Sequence, residues 1–487
     1  MGREWSFDRE KLFVVMLAGA VILTVVLSGL IVADLSNAHK PVAAQLGPGG
    51  AVDNSGNPSG TDQSATDQGG AGGGAATPGA GGSAANNAAG GGAASGAKGG
   101  GAKSGSPTVA CTTCGIQGHT LLVGSMITLT GPGRSKTMAD AVNAWVQSTN
   151  RKGGVNGYTI QFDPRDDGGN ADTGSSIFRA FAQDEKVFAV LGECAPISDE
   201  VNVKYVHDQQ LVLVGECQSA PEAYLPPAPG VQSQGDFIWV TGPRPDQNGA
   251  LGAKMMATEE GFNQGPVAIA CLNESSTLPV CNYAVSEYKA LGVQIYGGGP
   301  HMEDITGNDY AQLIGQWRSA GIQHIHLVLE PGNSVRFLAQ MDNASGYTPT
   351  MFQGLVIDDS VAAHPSAEGM YQGTPWTPLD QNTPVMQRMT STLQAYYPND
   401  TPDLYAQTGW ANCLLFEHAL QLMGGSVNKQ NLINVLNSIS NWDMGMGERE
   451  NYSPSNHIGA AESSLLQLKG AGTPNWKLVG VKSAITL

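Results

Sequence analysis

Leu121-Leu122-Val123-Gly124-Ser125-Met126-Ile127 opens a stretch that closes at Gly192-Glu193-Cys194-Ala195-Pro196, and the alternation between these points decides the fold. The first apolar run stops at the turn Thr130-Gly131-Pro132-Gly133. Apolar residues then recur at helical spacing from Met138 to Thr149, up to the break Arg151-Lys152-Gly153-Gly154-Val155-Asn156-Gly157. Tyr158 to Asp163 alternates as a strand, Asp166-Asp167 follows, and Asp172 to Gln183 reads as a second helix. Val187-Phe188-Ala189-Val190-Leu191 is another buried strand. Strand, helix, strand, helix, strand is the pattern of a parallel sheet covered by helices, and such sheets bind ligands beyond the carboxyl ends of their strands.

The second half repeats this pattern. A helix through Ala250 to Glu260 leads to a strand at Val267–Cys271, a helix around Val285 to Leu291 and a strand at Val293–Tyr296. A helix at Tyr310 to Ser319, a strand at His324–Leu329 and a helix from Ser334 to Met341 come next. Helices at Leu404–Met423 and Lys429–Ser438 and strands at Ser464–Leu468 and Trp476–Val481 complete the two sheets. That arrangement requires the chain to cross between the halves more than once. The expected fold class is therefore α/β, two Rossmann-like lobes with parallel central sheets joined by a multi-crossover hinge. Residues 111–241 and 373–448 form the first lobe, and 242–372 and 449–487 form the second lobe with the C-terminal segment.

Ahead of the lobes, residues 12–33 carry no charge and as a helix span about 33 Å, enough for a bilayer core. Arg3, Arg9 and Lys11 precede this span, which leaves a cytoplasmic tail at 1–11 and the remainder outside. A cleaved signal peptide is the alternative, since Ser36-Asn37-Ala38 offers small residues, but the span exceeds the usual signal core. Residues 34–110 are rich in Gly, Ala and Ser and read as a flexible linker. The expected location is the outer face of a bacterial cytoplasmic membrane, or a secreted or periplasmic state if the span is cut. A net charge of −17 disfavours binding to nucleic acid.

Seven cysteines in an exported chain imply disulfides with one thiol left over. Cys194 and Cys217 each end an apolar strand within Gly-Glu-Cys, Cys271 and Cys281 bracket a short loop, and Cys111 and Cys114 precede the first strand. Cys413 lies in a helix and suits a small buried hydrophobe, with its partition against Cys111 and Cys114 left open. His324 and His326 share a strand face without a neighbouring acid or cysteine, so no metal site is expected. The chain has no lysine-terminated phosphate loop, no nucleophile elbow and no zinc histidine pair, so neither a cofactor nor an enzymatic activity is expected.

Motifs in order along the chain carry a resemblance: Leu129-Thr130-Gly131-Pro132, Gly153-Gly154-Val155-Asn156-Gly157, Asp166-Asp167, Leu191-Gly192, Asn308-Asp309-Tyr310, Ser366-Ala367-Glu368-Gly369-Met370, and Tyr452-Ser453-Pro454-Ser455-Asn456-His457-Ile458-Gly459. From about His119 to Val481 the chain resembles the type 1 periplasmic binding fold. It is most similar to the leucine/isoleucine/valine-binding family of ABC-transporter solute receptors. The resemblance implies a receptor that closes two lobes over a small organic ligand, such as an amino acid, an amide or a related compound, and delivers it to an ABC permease. A membrane-tethered sensor acting on a separate signalling partner is the alternative.

By position, the resemblance implies ligand contacts at Ala195, Pro196, Cys217, Gln218 and Ser219 in the first lobe, where helices start beyond strand ends and favour anionic groups. In the second lobe it implies contacts at Ser276, Thr277 and Glu330. Here the chain departs from the family, with Ser275-Ser276-Thr277-Leu278 and Glu330 where aromatics are usual, and Gln353-Gly354-Leu355 where an amine-pairing acid is usual. Glu193 and Glu216 are candidate partners for a positive ligand group, against the simpler reading that strand alternation turns them away. Trp376, Tyr405 and Trp410 suit either the cleft or the core.

Overall fold

The computed structural model describes residues 106–131, 134–215, 217, 221–224 and 234–486. The tail 1–11, the apolar span 12–33 and the linker up to residue 105 lie outside the described residues, as do Glu216, Gln218 and Ser219. Among the described residues no helix is long and apolar enough to cross a membrane.

The first sheet takes β1 (Ile116–Gln117), β2 (Thr120–Ile127), β3 (Thr159–Asp166), β4 (Ala189–Leu191), β5 (Leu213–Val214) and β6 (Ile238–Trp239). Between them run α1 (Lys136–Arg151), α2 (Ala171–Arg179) and α3 (Pro196–Gln209). β2 pairs in parallel with β3 and β4, and β4, β5 and β6 continue in parallel, with β1 antiparallel to β2. Strand alternation divides the side chains between two cores. Leu121, Val123, Leu191 and Val214 pack with Val142 and Trp145 of α1 on one face. Met126, Val190 and Leu213 pack with Phe178 of α2 and Val203 of α3 on the other.

The chain then enters the second sheet through α4 (Asn248–Glu259), β7 (Val267–Leu272), α5 (Leu278–Ala290), β8 (His301–Glu303), α6 (Tyr310–Ser319), β9 (His324–Val328), α7 (Pro331–Met341), β10 (Thr350–Gln353), α8 (Asp359–Ala362) and β11 (Tyr371–Thr374). It returns to the first core as α9 (Pro384–Tyr396), α10 (Leu404–Met423) and α11 (Lys429–Leu436), then ends in the second sheet as β12 (Glu462–Lys469) and β13 (Lys477–Thr486). The sheet order is β13-β12-β11-β10-β9-β7-β8. Two separate cores again cover its faces, one around Leu327 and Phe337, the other around Ile269 and Tyr288.

One expectation changes and another is completed. The strand expected at Val293–Tyr296 makes only a single bridge, Ile295 to Val267, and the edge strand is His301–Glu303 instead. Gly297 and Gly298 hold φ of 71° and 80°, a left-handed backbone that ends the extended run. The helices and strands of the C-terminal third were expected to complete the two sheets, with 449–487 in the second lobe, and the edge pairing of its two strands was not specified. Both join the second, because a short turn at Gly470–Asn475 returns the chain antiparallel beside itself. The central sheets are therefore parallel with antiparallel edges.

The chain passes between the sheets three times, near residues 242, 375 and 459. Val240 bridges Ile458, tying the first passage to the third, and a Cβ at Gly242 would lie 3.1 Å from Pro375, so the first also runs beside the second. Tyr452 packs in the first core, so the chain leaves that core only after residue 458.

Three disulfides join Cys111 to Cys114, Cys194 to Cys217 and Cys271 to Cys281, and Cys413 is a buried thiol in α10. The second links the segments beyond β4 and β5. Gly215, at the end of β5, has φ 76°, and a Cβ there would lie 1.9 Å from Cγ of Asn412. Gly153 has φ 92° with open space around it. Gly153→Ala is expected to cost about 1 kcal/mol, the backbone strain alone. Gly215→Ala is expected to cost about 1–3 kcal/mol more from overpacking, read as the difference in urea unfolding free energy. Equal losses would show that Asn412 yields freely.

Candidate functional site

Strand ends of both sheets converge on a cavity of about 120 Å³. Cys217, Leu404, Tyr405 and Thr408 line it from the first-sheet side, and Ser276, Val280, Glu330, Phe352, Val356 and Ser463 line it from the second. Thr241, Pro243, Pro245, Pro375 and Trp376, from the first and second passages, close its base. The void follows from topology. Parallel sheets buried on both faces leave their carboxyl ends uncovered, and here two sets of ends meet.

Glu330 is the residue with the most to explain. It sits between β9 and α7 in extended conformation, and its carbonyl accepts the amides of Asn333 and Ser334 at 2.9 Å each. Pro331 takes the first helical position, where a missing amide costs nothing. The Glu330 side chain does not cap the helix, is 3% exposed, and its Oε2 has no hydrogen-bond partner. Burial first, and then the charge of Glu274, pushes its carboxyl up to about 7. The Ser276 Oγ, in the same lining, is also buried without a partner.

Buried hydrogen bonds tie the frame around the cavity. Asp403 caps α10 through the Ala406 amide at 2.9 Å and accepts the Thr137 hydroxyl at 2.7 Å, which fixes α10 against α1 and so aims Tyr405. Glu450 accepts the Gly242 amide at 3.2 Å and the Tyr452 hydroxyl at 2.8 Å, pinning the first passage to the third. Burial pushes both carboxyls up to about 7. Thr241 donates to Asn412 at 2.5 Å.

The other sequence candidates fall elsewhere. Thr277 is buried, and its hydroxyl donates to the carbonyl of Leu272 at 3.1 Å, holding the turn before α5 outside the cavity lining. Ala195 caps α3 from within the core that holds Met126, and Pro196 is the first residue of that helix. Glu193 is fully buried just after β4 and absent from the lining. Gln353, where the resemblance implied an acid, donates its amide to Leu329 at 2.9 Å and Val356 at 3.2 Å, both main-chain carbonyls. Tyr405 and Trp376 are cavity walls, while Trp410 belongs to the core. Sequence reasoning singled out neither Phe352 nor Val356, because nothing in an apolar strand end distinguishes a wall from a core residue.

His324 and His326 are packing residues. His326 is fully buried against Phe352, bonds the Tyr288 hydroxyl at 2.9 Å, and is pushed down to about 3 by burial, which keeps it neutral. Among the described residues His301, Glu303 and Asp309 bring one metal-ligating atom each within 4.8 Å of one another, at the sheet edge and outside the cavity lining.

The family described as periplasmic binding protein matches residues 120–473. No curated protein matches the chain. Among solved structures it is similar to a fatty acid ABC transporter substrate-binding protein from Thermomonospora curvata, with 17% identity, TM-score 0.63, and coverage of 77% of this chain and 94% of that one. A branched chain amino acid ABC transporter protein from Thermus thermophilus with bound valine gives 16%, 0.64, 76% and 98%. A solute binding protein from Rhodopseudomonas palustris BisB5 in complex with 3,4-dihydroxy benzoic acid gives 13%, 0.60, 76% and 98%.

An acid whose folded pKa is raised stabilises the fold fully below its ordinary value of 4.5, and that contribution disappears as pH rises through about 7. Glu330→Gln removes this dependence. Relative to wild type, the variant is expected to gain about 2–3 kcal/mol in urea unfolding between pH 5 and pH 8. Comparing variant with wild type cancels the opposing effect of buried His326 and His457, which both stay neutral in the fold. A pH-independent difference would mean that Glu330 is hydrated.

Proposed function

The chain belongs to the periplasmic binding protein family, and on that premise we propose that it binds a small organic solute in the cavity between its two sheets and presents the closed form to an ABC-type permease. The carrying observation is a cavity walled from both sheets and based on two of the three chain passages. Contacts to one wall alone bind the open and closed forms equally, whereas a solute touching Tyr405 and Phe352 at once favours closure. One apolar cluster joins the walls, Val356 with Met138, Cys194 and Tyr405 and the partly buried Cys217 and Leu404.

Family membership implies a place outside the cytoplasm. In our reading residues 12–33 anchor the chain and the linker lets the receptor reach its permease. Of the similar structures, one is named for fatty acid transport and two hold valine and 3,4-dihydroxy benzoic acid, which supports small organic solutes as the general class. We infer no catalytic step, since the Ser276 hydroxyl in the described lining is hydrogen-bonded to no base.

A thermal-shift panel of amino acids, amides, short carboxylates and amines on the full chain is expected to find one class that raises Tm. A solute at a hundred times its Kd adds about 2.7 kcal/mol. Tyr405→Ala and Phe352→Ala, from opposite walls, are each expected to weaken that solute at least about tenfold. A solute unaffected by both variants would bind outside the cavity, and a silent panel would remove the reading.

A further inference from the structure

The wall chemistry of the cavity narrows the solute. Glu330 is the one charged side chain among the described lining residues. Arg244, between lining residues Pro243 and Pro245, is held by Asp246 in a two-point pair at 3.0 and 2.5 Å. Among the described lining residues the cavity thus holds an acid without a base. Two of its buried polar atoms, Glu330 Oε2 and Ser276 Oγ, lack partners within the chain. Such atoms are costly unless something satisfies them, and an ionised carboxylate can only accept hydrogen bonds.

We propose that the solute is a small apolar primary amine, bound as its ammonium ion to Glu330 and Ser276 and carrying no carboxylate. The inference rests on the cavity being the solute site. An ammonium has three donors and a positive charge, which suit both orphaned oxygens. A carboxylate would add a second negative charge beside Glu330 in a space of about 120 Å³. Phe352, Val356, Leu404 and Val280 receive the hydrocarbon part. The volume is close to the roughly 150 Å³ that accepts benzene, so it suits an ammonium on a body of about five or six heavy atoms. Glu330 stands just beyond the end of β9, and the neighbouring end of β10 carries the uncharged Gln353-Gly354-Leu355.

The test uses the full chain and three compounds of matched shape: isoamylamine, isoamyl alcohol and isovalerate, read by thermal shift and titration calorimetry at neutral pH. The amine is expected to bind at least about thirtyfold more tightly than the alcohol, with isovalerate weakest. Glu330→Gln is expected to abolish this preference while keeping a melting temperature no lower than wild type. Ser276→Ala is expected to weaken the amine more than the alcohol. The wild-type ranking carries the test even if a variant fails to fold. Equal binding of amine and alcohol, or a preference for isovalerate, overturns the assignment and leaves the cavity a solute site. Silence from all three overturns the assignment as well, and silence from the wider panel takes the solute reading with it.

Discussion

Backbone amides and carbonyls at the carboxyl ends of a parallel sheet have no strand beyond them, and in this protein both faces of each sheet are already covered. Trp145 and α10 close one face of the first sheet and Phe178 the other. Phe337 and Tyr288 do the same on opposite faces of the second. The strand ends are therefore the places where polar chemistry and open space can coexist. Three passages of chain hold the two sets of ends together. The Cys194–Cys217 link and the buried Glu450 and Asp403 all lie on the rim that this arrangement creates.

The hinge is tied to the cavity wall through one helix. Asn412 of α10 accepts from Thr241 in the first passage, and its side chain fills the space that a Cβ at Gly215 would need. Tyr405 and Thr408 lie one to two turns earlier on the same helix and line the cavity. A shift of the passage at 241 is thus felt where the solute sits. Glu450 adds a second tie, from Gly242 to the third passage. Rotation of one sheet against the other needs these bonds to move as a set, which favours discrete positions over a continuum.

Glycine punctuation and strand alternation made most of the fold legible, because both are local consequences of backbone geometry. The edge strand was misread for the same reason. Val293–Tyr296 has strand-like residues, yet the following glycine pair turns the backbone left-handed before a ladder can form. Ser276, Cys217 and Glu330 were accessible from sequence as residues just beyond strand ends. Thr277, one position later, turns inward because its hydroxyl can satisfy the Leu272 carbonyl. Tyr405 and Trp376 were ambiguous, since only the second passage brings α10 and the hinge to the cavity. That placement depends on long-range topology which no window of residues contains.

The departures from the family pattern fall together in space. By the resemblance an aromatic was expected at residue 330 and an acid at 353; the chain has Glu330 and Gln353 there, with Ser276 after β7. Glu330 and Ser276 line the cavity, and Gln353 bonds to the backbone just behind it. A carboxylate desolvated by the facing walls raises the free energy of the empty closed form, because separation of the walls returns it to water. A solute that pairs with it removes that penalty and gains the apolar walls in the same step. The acid then acts twice, as a recognition group in the closed form and as a bias toward opening when the cavity is empty.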